Sequence, residues 1–482
     1  MPFQPLDVLT SVARELPDGL FYADSDQSLT FAEAHGISAQ FAAELRRLGV
    51  KPTDTVAIDL PAGMQVLFTF AAFYLAAVSA TATVLTAPHE IEWDWWVTSN
   101  DQPSGNARNV IIVDNAFLIR AAGLPTEMAP TPYPTDNSVC RFAFTSGTTG
   151  RPKAVALTVA MVEHRSLEAG ELFDPDGPFL CTLGLSTTSG FHTLIACTQA
   201  QLPYLAPGDG TRNRETILRH SVTALKGSPQ QISDIVGVST AGDVKSIRTL
   251  YSAGGKLAQS LVDGIRRISG ATVINLYGSS EAGRAAEKKA GDTIDPSLAG
   301  LVVSHADVEV VGADESPVPH GERGAIRYRA PHMAHDYVND STATAESFKD
   351  GWFYPGDVGR LSADGSLFLD GRTADTLNAG GVKIDPTSYE EFVSTLPGVV
   401  DAIGFVHDNE LGIPQFVIAV AGHRIDIVTV SRELERQFGQ SRPSAVFSLP
   451  AIPRTESGKV SRRLTAELYA ESIASAKRRG RK

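Results

Sequence analysis

Cysteine is scarce. The three present, Cys140, Cys181 and Cys197, form no CxxC pair and no metal-ligand spacing. That excludes a disulfide scaffold and a cysteine-built zinc or redox site, and it suits a reducing, cytoplasmic setting. Basic charge is also in deficit: 42 Lys and Arg stand against 55 Asp and Glu, a formal net charge of −13. General nucleic-acid binding calls for a basic footprint, so that class is set aside. The small basic tail from Lys477 to Lys482 reads as a solvated terminus. The opening Met1-Pro2-Phe3-Gln4-Pro5 has no basic region followed by an apolar run, so no secretory signal is expected. One uncharged run, Val66 to Ala87, is long enough to span a bilayer. Its Ala, Ser and Thr content makes it too weakly hydropathic for that. It reads as a buried helix, about Gln65 to Ala77, feeding a buried strand from Thr81 to Leu85.

What is there points to a multidomain α/β protein. A chain of 482 residues, 43% hydrophobic and 20% charged, exceeds one ordinary core. Ile37, Phe41, Leu45 and Leu48 recur at helical spacing, with Thr30 as N-cap, Glu33 placed for a capping box and Gly49 as the stop. Strands are expected at Thr55 to Leu60, Val110 to Val113, Phe179 to Leu183, Thr223 to Gly227 and Thr249 to Gly255, with a helix over Thr158 to Leu167. Ile91 to Gln102, with Trp93, Trp95 and Trp96, reads as a core-packing or interface segment. Such strand–helix alternation predicts parallel sheets with helices on both faces, whose strand carboxyl ends bind ligands. The loop from Gly184 opens into a second helix, and its lone His192 reads as a packed or surface histidine.

The chemistry begins at Phe144-Thr145-Ser146-Gly147-Thr148-Thr149-Gly150-Arg151-Pro152-Lys153, straight after an apolar segment. Glycines let the backbone bring its N–H groups close to a ligand. Successive N–H groups make an anion-binding concavity, to which the hydroxyls and Lys153 add donors and charge. A phosphate suits it. A Walker loop would put Lys directly after the last Gly and Ser or Thr after the Lys. Here Arg151 and Pro152 intervene and Ala154 follows.

Three further constellations lie downstream. In Tyr277-Gly278-Ser279-Ser280-Glu281, a strand delivers an aromatic, a close-approach glycine, two hydroxyls and a carboxylate able to hold a hard cation such as Mg²⁺. Gly351-Trp352-Phe353-Tyr354-Pro355-Gly356-Asp357 leads through the hairpin turn Asp364-Gly365 to Arg372. Near the end stands Pro453-Arg454-Thr455-Glu456-Ser457-Gly458-Lys459-Val460-Ser461-Arg462.

In this order the four stretches resemble the signatures of the adenylate-forming superfamily, which includes acyl-CoA synthetases, stand-alone adenylation domains and luciferases. Ser280 stands where the family usually has Thr, Pro355 likewise, and Ala374 sits where the hinge usually has Asp or Lys. The resemblance implies ATP, Mg²⁺ and CoA (or a phosphopantetheine carrier) as cofactors, and a small carboxylic acid as substrate. It implies that Thr145 to Gly150 and Lys153 hold phosphates, that Gly254, Tyr277, Gly278, Ser279 and Ser280 line the nucleotide site, and that Asp357 and Arg372 take the ribose. Glu281 would carry Mg²⁺, and Lys459 would be the catalytic lysine reaching the α-phosphate and the carboxylate. Residues 1–372 would form an ATP- and acid-binding region, and 373–482 a small mobile lid bringing either Lys459 or the Gly380, Gly381, Lys383 face to the site.

Thr187, Gly255 and Gly278 are expected in the acid pocket. No Asp lies between Thr182 and Leu194 to pair an α-ammonium, so a neutral acyl or aryl acid is expected over an amino acid. The leading expectation is an acid–CoA ligase. Loading a carrier protein or using a non-thiol acceptor is the close alternative, and a lapsed ATP- or AMP-binding paralogue the more distant one.

Overall fold

The computed structural model describes the chain apart from residues 1, 83–90, 101–105, 147–151, 176, 256, 258, 292–294, 296, 373–376, 380–381, 385, 409–413, 439–441, 456–459 and 480–482. At 146, 152, 372, 378–379, 382–383, 408, 414 and 474–479 it describes the backbone alone. Helix Phe31–Leu48 begins as its sequence requires. Thr30 Oγ1 accepts from Glu33 N at 3.2 Å, Glu33 Oε2 accepts from Thr30 N at 2.8 Å, and the helix stops at Gly49, whose φ of 109° favours glycine. The uncharged stretch becomes helix Ala62–Tyr74 and strand Val78–Thr81, both beginning three residues earlier than expected; of the rest of the expected strand, Ala82 is not strand and 83–85 lie outside the described residues. No helix among the described residues is long and apolar enough to cross a membrane.

These elements build a six-stranded sheet in the order Ala107–Ile112, Trp93–Thr98, Thr55–Asp59, Val78–Thr81, Val139–Ser146, Pro152–Thr158. The first five run parallel, and the last two form an antiparallel pair joined through the Ser/Thr/Gly run. Trp93 and Trp96 are buried, their rings edge-on at 6.3 Å. Trp93 also meets Phe142 at 6.0 Å and Phe144 at 6.2 Å, so the tryptophan segment braces the strand that enters that run.

A twelve-stranded sheet carries the rest of the site. Phe179–Cys181, Ala224–Gly227, Thr249–Ala253 and Thr272–Ser279 are parallel neighbours, as the βα alternation predicts. The sheet then turns antiparallel through Gly283–Lys289, Leu298–Val302, Ser366–Arg372, Asp357–Leu361 and Gly324–Arg329. This half departs from the expectation of parallel sheets, except that the expected hairpin at Asp364-Gly365 does join Asp357–Leu361 to Ser366–Arg372. Its connections at Ser280–Ala282 and Asp364-Gly365 are hairpin-short, and a parallel crossover needs a dozen or more residues.

Residues from Leu377 onward form a smaller α/β assembly. Val399–Asp408 and Pro414–Gly422 pair antiparallel, Ala445–Leu449 adds parallel, and helices Pro386–Ser394, Ile427–Phe438 and Arg462–Arg479 accompany them. Its two apolar clusters draw only on residues from 377 on, one around Val393 and Ile418, the other around Ile403 and Ala419.

Candidate active site

A cavity of about 660 Å³ opens where the strands of the large sheet reach the paired strands Val139–Ser146 and Pro152–Thr158. Thr145, Lys153, Thr187, Gly254, Tyr277, Gly278, Ser279, Ser280, Glu281 and Asp357 all line it. Gly255 does not line it; a Cβ there would meet the Pro229 ring at 3.2 Å. Gly147, Thr148, Thr149, Gly150, Ala374, Gly380, Gly381 and Lys459 lie outside the described residues, as do the side chains of Ser146, Arg372 and Lys383. Their neighbours are placed. Thr145 pairs with Lys153 across the hairpin, Arg372 is the backbone partner of Asp357, and Ala379 pairs with Val382 around the two glycines. Arg454 is bonded to Asp401, and Arg462 to Glu390 and the Gly404 carbonyl, so both flanks of the lysine segment are tied to the smaller sheet.

The Tyr277–Glu281 turn owes its shape to two glycines. A Cβ on Gly278 would stand 2.3 Å from the Gly283 carbonyl oxygen, so only glycine lets the returning strand approach. Gly283 itself has φ of 78°. Tyr277 donates from its hydroxyl to Asp357 Oδ2 at 2.6 Å, which ties the turn to the strand carrying the aspartate. Ser279 Oγ accepts from the buried Tyr328 hydroxyl at 2.8 Å, and Ser280 Oγ meets Thr188 Oγ1 at 2.7 Å.

Glu281 and Asp357 are both buried. Glu281 Oε1 accepts from the Tyr337 hydroxyl at 2.7 Å, and Oε2 has no partner among the described residues. Burial, with the Glu281 charge and hydrogen bond behind it, pushes the Tyr337 phenol up, so it stays a donor. Lys153 Nζ lies 4.7 Å from the centre of the Tyr337 ring, which makes one side chain the link between cation and carboxylate. Arg165 is buried on helix Val159–Gly170 and donates to the carbonyls of Ser280 at 2.7 Å, Glu281 at 2.8 Å and His332 at 3.3 Å. His192 is packed inside. Burial first, then the charges of Arg165, Lys226 and Arg141, holds its ring well below the usual histidine range and therefore neutral.

Tyr337, Arg165 and Lys226 are the residues that sequence reading missed. Tyr337 lies in no recognised motif, and Arg165 looks like any charge on a helix. Lys226 did leave a signal: a lysine interrupts the apolar strand Ala224–Gly227 just before its carboxyl end.

The arrangement can hold a polyanion against Lys153, a cation against Glu281 and a vicinal diol against Asp357. No group of three or more metal-ligating side chains occurs among the described residues. One buried carboxylate with a spare oxygen fits Mg²⁺, which takes one or two protein carboxylates and completes its shell from phosphate and water.

A family model described as AMP-binding enzyme matches residues 9–338. A 4-coumarate–CoA ligase from Nicotiana tabacum is 27% identical, over 92% of this chain and 90% of the relative. Among solved structures, the anthranilate CoA ligase AuaEII in complex with anthranoyl-AMP has a TM-score of 0.83 at 19% identity, covering 98% of each chain. O-succinylbenzoate Coenzyme A Synthetase from Bacillus subtilis, in complex with AMP, has a TM-score of 0.81 at 21% identity, covering 96% of this chain and 98% of that one. At these identities the structural likeness carries the fold alone.

Proposed function

The chain belongs to the family of AMP-binding enzymes, as an AMP-forming acid–thiol ligase, and on that premise we propose that it activates an acyl or aryl carboxylic acid with ATP and passes the acyl group to CoA. One observation carries the residue roles. Thr145, Lys153, Glu281 and Asp357, from segments far apart in the chain, line a single cavity.

In the first half-reaction a carboxylate oxygen attacks the α-phosphorus of ATP. A new P–O bond forms, the bond to the bridging oxygen breaks, and pyrophosphate leaves with the electron pair. Catalysis here is chiefly positioning and cationic stabilisation of phosphoryl oxygens. Thr145, the run to Gly150, and Lys153 are assigned the β- and γ-phosphates. Asp357 and Arg372 are assigned the ribose hydroxyls, and Lys459 the α-phosphate and the incoming carboxylate. Glu281 would hold Mg²⁺, which when bound neutralises phosphate charge. In the second half-reaction the CoA sulfur attacks the acyl carbon, and AMP departs with the bonding electrons.

We read residues 1–372 as the ATP- and acid-binding body and 373–482 as a lid. The separate apolar clusters after 377 support that division. In the lid reading, Gly380, Gly381 and Lys383 receive the pantetheine arm.

The test is pyrophosphate release over a panel of aryl, short, medium and long carboxylic acids, with CoA or with hydroxylamine as a trap. Acid-dependent release together with acyl-CoA formation is expected. Release with hydroxamate but no acyl-CoA would move the acceptor to a carrier protein or a non-thiol. Absence of acid-dependent release would overturn the proposal.

A further inference from the structure

Lys226 lies on the cavity wall away from Asp357. In the large sheet, Asp357–Leu361 lies to one side of Thr272–Ser279 and Ala224–Gly227 to the other, two strands over, or about 10 Å from the strand that carries Tyr277. Lys226 is in register with Tyr251 and Ile274. It therefore shares a sheet face with Leu276, in a part of the cavity also lined by Leu172, Leu183 and Ala253. An ammonium among apolar side chains is costly unless a counter-charge meets it.

Among the described residues none forms an ion pair with Lys226, and Glu168 acts on the ammonium only from beyond ion-pair distance. Glu168 lines the same cavity, with its Oε1 3.3 Å from His164 Nε2 and 3.0 Å from His305 Nε2 and no ion-pair contact with Lys226. Arg284, the neighbouring cation, is engaged with Glu171 at 2.7 Å and Glu287 at 3.0 Å. Burial is the main influence lowering the Lys226 pKa; Arg284 adds to it, while Cys181 and Glu168 oppose it.

Building on the acid-activating reading, we propose that the acid bears a second carboxylate at its distal end, and that Lys226 pairs with it. The substrate class is then a dicarboxylic acid, in place of the neutral acid that the loop sequence suggests. One carboxylate reacts at the nucleotide, the apolar side chains cover the spacer, and Lys226 receives the other charge. Lys226 is a specificity residue in this scheme and takes no part in bond making.

The experiment compares acids matched except for the distal group, hexanoate against adipate and benzoate against terephthalate, by kcat/KM for pyrophosphate release. The native protein should favour the diacid of at least one pair by roughly tenfold or more, as expected for a desolvated charge pair. Lys226→Met should bring that ratio to about one or reverse it, with the loss in KM, because a uniform binding contact is removed. Lys226→Arg should preserve the preference, and thermal melting reports whether each variant folds. If Lys226→Met does not fold, the native and Arg ratios decide. A native enzyme that uses the monoacids equally well or better overturns the inference, as does an unchanged ratio in a folded Lys226→Met. Either result leaves acid activation standing. Absence of acid-dependent pyrophosphate release with every acid tested would bring down the underlying reading as well.

Discussion

Tyr337→Phe probes the link between the cationic and anionic halves of the cavity. The substitution removes one hydroxyl and keeps the ring 4.7 Å from Lys153 Nζ, so the cation–π contact persists. What is lost is the 2.7 Å hydrogen bond to Glu281 Oε1, whose carboxylate is only 7% exposed. A hydrogen bond to a charged group is worth about 1.5–3 kcal/mol, and the buried acceptor left behind bears the cost. Lost from transition-state stabilisation, that predicts a fall in kcat/KM for ATP of roughly 10- to 150-fold. The assay is pyrophosphate release at saturating acid, in a double-mutant cycle with Glu281→Ala, which removes the acceptor. If the hydroxyl acts through the carboxylate, Tyr337→Phe should cost under about 0.5 kcal/mol in the Glu281→Ala background. Equal losses in both backgrounds would refute the coupling. A native-like Tyr337→Phe would refute the energetic argument itself.

Asp357→Ala should weaken ATP binding by tenfold or more (about 1.4 kcal/mol per tenfold), since the ribose loses its acceptor and Tyr277 loses the 2.6 Å partner that holds it; unchanged affinity by calorimetry would count against the assignment. Lys459→Ala should abolish adenylate formation while transfer from a supplied acyl adenylate to CoA persists, and equal loss of both half-reactions would remove the lysine from its role. Glu44 gives a pH prediction. Its hydrogen bonds from Arg47 at 2.6 Å and Arg120 at 2.7 Å hold its carboxyl down at about 2. A depressed folded-state value gives stability that is complete above the ordinary carboxylate range near 4.3 and lost as pH falls toward 2. The arginines are half exposed, so solvent screening reduces the effect to about 1–2 kcal/mol. Glu44→Gln should thus lower the melting temperature at pH 7, with the gap to the native protein narrowing by roughly half at pH 3; a gap independent of pH would contradict the ion-pair account.

What the amino-acid order makes legible is local. Thr30 and Glu33 cap a helix within its first turn, and Asp364-Gly365 makes a turn by its own backbone preferences. The hydroxyl run and the Tyr277–Glu281 turn carry their chemistry in consecutive residues. The rest of the antiparallel half of the large sheet is not legible in this way, because Leu298–Val302 and Gly324–Arg329 pair with strands far along the chain, partners that only tertiary contacts choose. Tyr337 escapes for a similar reason: it lies 56 positions from Glu281, and nothing in its own neighbourhood announces the contact. Along the chain Lys226 only interrupts an apolar strand, and folding is what brings Leu172, Leu183 and Leu276 to the same cavity. A charge becomes informative only once its surroundings are known.

Arg165 has a further consequence. A single guanidinium grips carbonyls of Ser280, Glu281 and His332, and Tyr337 lies five residues beyond the last of these. The acidic turn and the tyrosine-bearing segment are thus moored to one helix, like two boats on one bollard. The spacing between the Glu281 carboxylate and the Tyr337 phenol is thereby fixed through a shared anchor and not through the chain that separates them.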